Sequence, residues 1–485
     1  MTIAFKTATE LAHMIREKKI SSRELLDLYL ARIEKYNPAL NAVVTLEKEG
    51  ARTIAHAADL ALKNGNGDGA LHGVPMTIKD TFEISGLRTT AGAKIFSKHV
   101  PKNTAIAAQR LMDAGAVFMG KTNVPEFASD LQSYNDIFGV SNNPWDVTRT
   151  PGGSSGGAAA AVAAGLTALE FGSDIGGSIR TPAHFCGIYG HKPTWGIVPS
   201  RGHIPGPPGT LGETDLGVMG PLARSAEDLA LALDITAGPL EDKAIAWKLQ
   251  LPPPRHKSLK QFKVAAWLHD DSFPLDAPVK AQLEKTVAAL RSAGVQVEDA
   301  KPDFALDKVF NDYLRMLWPV SLAGLPPAEF QKLIDQANSL KPDDQSLPAR
   351  MARYATLRHR EWLRANEARQ HHRAGWDLFF REYDVLLCPV NPVCAFPHDH
   401  SEDMISRTIS INGQQHSYWD QMAWISLATL AHLPATVAPT GLATNGLPVG
   451  IQIIGPYLED YTTIEFARLM GEVTGGFVPP PGFVN

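Results

Sequence analysis

Between Thr150 and Arg180 the chain places two glycine clusters around an alanine-rich run, and no other stretch limits the fold as much. The first cluster reads Thr150-Pro151-Gly152-Gly153-Ser154-Ser155-Gly156-Gly157, and the second Gly172-Ser173-Asp174-Ile175-Gly176-Gly177-Ser178-Ile179-Arg180. Residues 158–169 between them are almost all alanine and leucine-like, a strong helix former, so Gly156 and Gly157 stand at a helix entrance. Leu169-Glu170-Phe171-Gly172-Ser173 then reads as a short strand running into a turn. A helix, a strand and tight turns built from such small residues describe elements in close contact. The stretch belongs to a packed core and is not a tether.

A serine set among glycines is a candidate nucleophile, because main-chain N–H groups can approach the oxyanion its attack creates. Two better-known readings fail here. Gly153-Ser154-Ser155-Gly156-Gly157 matches G-x-S-x-G, but that elbow needs a strand before it, and Asn143-Pro144-Trp145-Asp146-Val147-Thr148-Arg149-Thr150-Pro151 is a loop. Neither cluster carries the lysine of a phosphate loop or a dinucleotide G-x-G-x-x-G after a strand. For a base the chain offers 16 histidines, of which His184 and His191 follow closely, and chain order does not choose between them. A better candidate lies upstream in Leu71-His72-Gly73-Val74-Pro75-Met76-Thr77-Ile78-Lys79-Asp80, where Lys79 ends an apolar strand segment. Burial strips a lysine of proton affinity and makes it usable as a base.

Lys79, Ser154 and Ser178 together resemble the catalytic set of the amidase signature family. The resemblance covers almost the whole chain. It extends over Gly120-Lys121-Thr122-Asn123-Val124-Pro125-Glu126-Phe127-Ala128 and Asn143-Pro144-Trp145-Asp146. It also takes in Ile20-Ser21-Ser22-Arg23-Glu24-Leu25 near the start and Gly446-Leu447-Pro448-Val449-Gly450-Ile451-Gln452 near the finish. It implies that Ser178 attacks an amide carbonyl to give an acyl-enzyme, and that Ser154, after a cis peptide with Gly153, relays its proton to Lys79. It further implies an oxyanion hole from the N–H groups of Ile175, Gly176, Gly177 and Ser178, with Gly153, Ser155, Asp174 and Arg180 supporting the loops. No cofactor is implied.

Patterning points to an α/β fold, a large mixed, mostly parallel sheet covered by helices on both faces, and the family's fold agrees. Residues 1–485 are expected to form a single domain, with the core motifs at about 70–235, a mainly helical, substrate-shaping region at 276–380, and strands and a helix at 383–485 completing the sheet. Ser21-x-x-Glu24 is a capping box opening a helix over 22–35, after another over 7–18. A Gly/Pro-rich loop at 202–212 is placed near the active site. The three cysteines, Cys186, Cys388 and Cys394, form an odd, sparse set expected as reduced thiols. A net charge of −5 gives no reason to expect nucleic acid or an acidic membrane. No secretory signal and no membrane-length apolar run appears. The expectation is a cytoplasmic monomer or homodimer acting on a small-molecule amide.

Tyr134, Ile137, Tyr313, Met316, Leu317, Trp318, Met422 and Trp424 lie in segments that could line an acyl or amine pocket, which would favour apolar or aryl amides, esters and carbamates. His398-Asp399-His400 and His371-His372 are read as solvated loop and helix face, because no third metal ligand is positioned. One rival is the family's glutaminase subunit of tRNA-dependent amidotransferase, which releases ammonia for a partner. That protein carries a Gly-Tyr-Tyr-rich helix, and an Asp and an Arg that hold glutamine. Here residues 352–360 lack the Gly-Tyr-Tyr, and Gln421-Met422-Ala423-Trp424-Ile425-Ser426-Leu427 has no carboxylate, although Asp420 lies just outside. A second rival is a non-catalytic binding protein on the same fold, which the intact Lys79-Ser154-Ser178 set opposes.

Overall fold

The computed structural model describes residues 2–204 and 206–484; Pro205 of the Gly/Pro-rich loop lies outside the described residues. Its largest sheet has eight strands, in the order Gln296–Asp299, Lys263–Ala266, Val385–Pro389, Pro448–Ile454, Ala435–Leu442, Tyr189–Lys192, Val218–Ala223 and Glu170–Asp174. The fold is mixed α/β, as expected, but the sheet is not mostly parallel. Only the first three strands pair in parallel, and every other ladder is antiparallel. The reason lies in the connections. A parallel neighbour needs a crossover such as the helix Ala277–Ser292, which joins Lys263–Ala266 to Gln296–Asp299. Ala435–Leu442 and Pro448–Ile454 are joined by a short turn instead. Helix Arg180–Cys186 returns the chain not to a parallel neighbour but to Tyr189–Lys192, leaving Val218–Ala223 to pair antiparallel with both flanking strands.

The lysine strand is not in that sheet. Pro75–Lys79 pairs in parallel with Val117–Thr122, which pairs antiparallel with Val43–Leu46 in a separate three-stranded sheet. This small sheet packs against the edge strand Glu170–Asp174, so Lys79 and the second serine cluster arrive from two different sheets.

Close approach explains the glycine clusters. Helix Gly156–Ala163 is buried along its whole length, which its small side chains permit. A Cβ added at Gly157 would lie 2.4 Å from the Asn123 backbone N and 2.7 Å from its carbonyl O. The helix is shorter than the 158–169 run because Ala164 caps it and Gly165 turns left-handed at φ +65°. The capping box forms as read: Glu24 N–H donates to Ser21 Oγ at 3.1 Å, and Ser21 N–H to Glu24 Oε2 at 2.8 Å. Its helix, Ser22–Leu40, runs past residue 35 and carries Pro38 in its last turn. The 276–380 region contains five helices, Ala277–Ser292, Leu306–Leu322, Pro327–Ser339, Leu347–Ala355 and His359–Phe379, with one strand between the first two. No helix among the described residues is long and apolar enough to cross a membrane.

Because the Asn123 atoms facing Gly157 are main chain, they cannot swing away. Gly157→Ala is expected to lower unfolding free energy by about 3 kcal/mol in denaturant titration. Gly212→Ala, which meets nothing within 4 Å, should change it by less than about 0.5 kcal/mol.

Candidate active site

Asp174 organises the second serine loop. The Glu170–Asp174 strand ends there, and helix Arg180–Cys186 begins just after Ser178. The Asp174 carboxylate accepts the N–H groups of Gly177 and Ile179 at 3.0 Å each and of Arg180 at 3.3 Å. It also takes the Arg180 guanidinium, at 2.8 and 3.0 Å. Burial pushes this carboxyl up, but the Arg180 charge and these donors outweigh it and hold it at about 2. Arg180 then reaches the Ile425 carbonyl at 2.8 Å, and Gln452 and Thr429 at 2.7 Å each. Gly177 sits at φ +93°, a conformation that glycine adopts freely.

That geometry corrects one expected oxyanion donor. The Gly177 N–H is committed to Asp174, whereas those of Ile175, Gly176 and Ser178 donate to no protein acceptor among the described residues. Three of the four expected donors are therefore free.

The first loop brings Ser154, whose peptide bond to Gly153 is cis, against Lys79. The Lys79 ammonium nitrogen donates to Ser154 Oγ at 2.7 Å and to Ser173 Oγ at 2.9 Å. Ser155 N–H donates to the Ser178 carbonyl at 3.1 Å, and its Oγ to the Ser173 carbonyl at 3.4 Å, so the two loops are joined. Ser133 braces the first loop from outside by donating to the Ser154 carbonyl at 3.2 Å and accepting from Gly156 N–H at 3.0 Å. Lys79 is 0% exposed, Ser154 1% and Ser178 5%. Ser178 is the least buried of the three.

Burial lowers the proton affinity of Lys79 to about 7, although the Asp174 and Glu170 charges oppose the shift. Sequence reasoning missed Ser173 as a lysine partner. Strand alternation was the available signal, since Ser173 faces opposite to Gly172 and Asp174. It also missed His203, a half-buried ring whose proton affinity is pushed well down by desolvation and by the nearby Lys79 charge. His203 belongs to the Gly/Pro-rich loop and lies edge-on to Phe82, 4.8 Å between ring centres.

Of the expected pocket residues, two meet the second serine loop. Tyr313 donates its hydroxyl to the Ile175 carbonyl at 2.9 Å. The Met422 sulfur lies 3.8 Å from that hydroxyl, and 3.1 Å from where a Cβ on Gly176 would stand. Met316 and Leu317 are buried on the Leu306–Leu322 helix, and Trp318 packs on Trp419 at 4.7 Å. Trp424 is fully buried edge-on to Trp267, a core position. Tyr134 is bound up elsewhere: its hydroxyl donates to Asp130 at 2.9 Å and accepts from Arg407 at 2.8 Å. Ile137 lies in the turn after Asn135, whose side-chain oxygen takes the Ile137 N–H at 2.9 Å. His400 stacks on Tyr134, His398 bonds Asn142, and His372 pairs with Asp312. No group of three His, Cys, Asp or Glu side chains among the described residues could hold a metal ion.

The fold and the two joined serine loops define an amide-hydrolysing class. A sequence profile named Amidase matches residues 24–464, and the chain belongs to that family. It is 32% identical to a glutamyl-tRNA(Gln) amidotransferase chain of Synechococcus sp. strain CC9605, over 96% of each chain. It is also 32% identical to the indoleacetamide hydrolase of Bradyrhizobium diazoefficiens, over 94% of this chain and 84% of the relative. The solved structure of 6-aminohexanoate cyclic dimer hydrolase superposes with a TM-score of 0.79 at 26% identity, covering 100% of both chains.

Asp174→Asn keeps the shape but leaves Arg180 buried without its counter-charge. Losing half of a buried pair costs about 3–5 kcal/mol, so the variant should unfold at markedly lower denaturant concentration than wild type.

Proposed function

We propose that this protein is a serine-dependent hydrolase of linear carboxylic amides, working through an acyl-enzyme on Ser178. The observation that supports it most is the buried Lys79 nitrogen, 2.7 Å from Ser154 Oγ and shifted to about 7. A neutral lysine accepts a proton from Ser154 while Ser154 takes one from Ser178, whose Oγ bonds to the carbonyl carbon. The oxyanion meets the free N–H groups of Ile175, Gly176 and Ser178, each such donor being worth roughly 3 kcal/mol or more. Lys79 returns the proton through Ser154 to the amide nitrogen, the C–N bond breaks, and amine or ammonia leaves. Water repeats the relay, and the acid departs with Ser178 restored.

The substrate reading is an apolar or aryl amide, with esters and carbamates as alternatives that present the same carbonyl. Tyr313 and Met422 flank Gly176 on the oxyanion loop, which favours an apolar group beside the scissile carbonyl. Within a single domain, the 276–380 helices would shape this pocket through Tyr313. The indoleacetamide hydrolase relative agrees with that choice. The amidotransferase relatives support a second reading, a glutaminase that supplies ammonia to a partner. Against it, a thioether, and no carboxylate for an ammonium, stands at Met422. Asp420 is mostly buried, with burial raising its carboxyl while His416 and Arg350 oppose.

A hydrolysis screen of glutamine, aliphatic amides, anilides and aryl carbamates should place anilides or arylacetamides first; glutamine as the preferred substrate would overturn the choice. Ser178→Ala and Lys79→Ala should each lose roughly 10⁴-fold or more in kcat, and a sulfonyl fluoride should label wild type but not Ser178→Ala. Because the lowered proton affinity makes Lys79 a free base only above about 7, kcat/KM should rise with pH to a plateau above that value. A profile flat through neutrality would exclude this base.

A further inference from the structure

Near Lys79 lies a second buried ionisable group that the hydrolytic scheme leaves unused. Glu170 is fully buried at the start of the strand that ends in Ser173 and Asp174. Its Oε2 accepts the Phe171 N–H at 3.0 Å, but Oε1 has no hydrogen-bond partner among the described residues. The Thr77 and Thr122 hydroxyls are likewise buried without a hydrogen-bond partner among the described residues, and both favour the charged form of this carboxyl against the burial that raises it. Both belong to the lysine's own surroundings. Thr77 precedes Lys79 by two positions on one face of its strand, and Thr122 is its partner in the parallel ladder. A half-satisfied carboxyl in this place is costly to bury as an anion.

We infer that Glu170 is a positioning residue of the active centre, and that its carboxyl, set against Thr77 and Thr122, governs how readily Lys79 gives up a proton. The inference rests on Lys79 being the base proposed above. An anionic Glu170 holds the proton on Lys79; a neutral Glu170 releases it. Burial raises this carboxyl to about 7, so its charge appears over the pH range in which Lys79 loses its own. The other charges facing the pair are accounted for. Lys79 also faces Asp174, which Arg180 and Lys192 answer, and His203, whose proton affinity desolvation pushes well down. Glu170 faces Lys121, whose ammonium also feels Asp80 and Glu83.

The test is the acid limb of kcat/KM for one anilide, in wild type and in Glu170→Gln, which keeps size and removes charge. The half-maximal pH should fall by roughly one unit and the limb should steepen, because the lysine no longer titrates beside a second group. An unmoved half-maximal pH, whatever happens to the plateau, overturns the inference. Should Glu170→Gln fail to fold, Thr122→Val removes a hydroxyl that favours the anion, and the limb should move the same way by a smaller shift; an unmoved limb there overturns it equally. Failure of the underlying reading looks different: Lys79→Ala would keep its activity, or wild type would show no limb near neutrality.

Discussion

The buried pair of Asp174 and Arg180 is the constraint on which the rest of the site depends. One buried carboxylate gathers two loop N–H groups, the first N–H of a helix and a guanidinium. Burying two such charges is expensive, and the cost is met only when nearly every donor and acceptor finds a partner. Here the guanidinium goes on to Ile425, Thr429 and Gln452, so a strand, a short helix, the Ala423–Leu430 helix and the Pro448–Ile454 strand meet at one point. Ser178 sits inside the turn this pair closes. Its loop takes its shape from charge-assisted hydrogen bonds.

A second constraint follows from the two sheets. Lys79 ends a strand of the small sheet, while Ser173 lies on the edge strand of the large one and Ser178 in the turn after it, and the lysine nitrogen lies in the seam. The seam between the two packed sheets removes enough water to bring this ammonium to about 7 while leaving it two hydroxyl acceptors. An exposed lysine at the same distance from Ser154 would stay charged and could not take a proton. On the proposed mechanism burial is therefore part of the chemistry, and the small side chains of helix Gly156–Ala163 permit the close packing around it.

Local chemistry is legible in the sequence, and long-range pairing is not. The capping box, the helix entrance at Gly156 and the strand before Asp174 depend on residues a few positions apart, and all three form. Strand directions escape such reading because alternating helices and strands look the same whether a helix crosses over or turns back; only the inserted Val218–Ala223 strand separates the two cases. Gly177 holds the motif position of an oxyanion donor, yet its N–H goes to a carboxylate three residues earlier. Trp424 is expected beside Met422, but Met422 stands before the Ala423–Leu430 helix with its sulfur near Gly176, whereas Trp424 is on that helix and packs into the core against Trp267.

The same reasoning bears on how far specificity can drift in a chain of this kind. Asp174, Gln452 and Thr429 are joined through Arg180, so a change in any of them disturbs the turn that carries Ser178. Tyr313 and Met422 touch that turn from outside, through a hydroxyl on the Ile175 carbonyl and a sulfur over Gly176, and each stands on an element whose own packing lies elsewhere. A carboxylate at position 422 would meet the oxyanion loop directly and would set a fixed charge beside the developing oxyanion, so it suits only a substrate that brings its own cation. Methionine there leaves the field to the main-chain donors alone. On the proposed mechanism, the choice between an amide with an ammonium group and one without would be made at this contact with the Ser178 loop, by a side chain that the Asp174–Arg180 hydrogen bonds do not need.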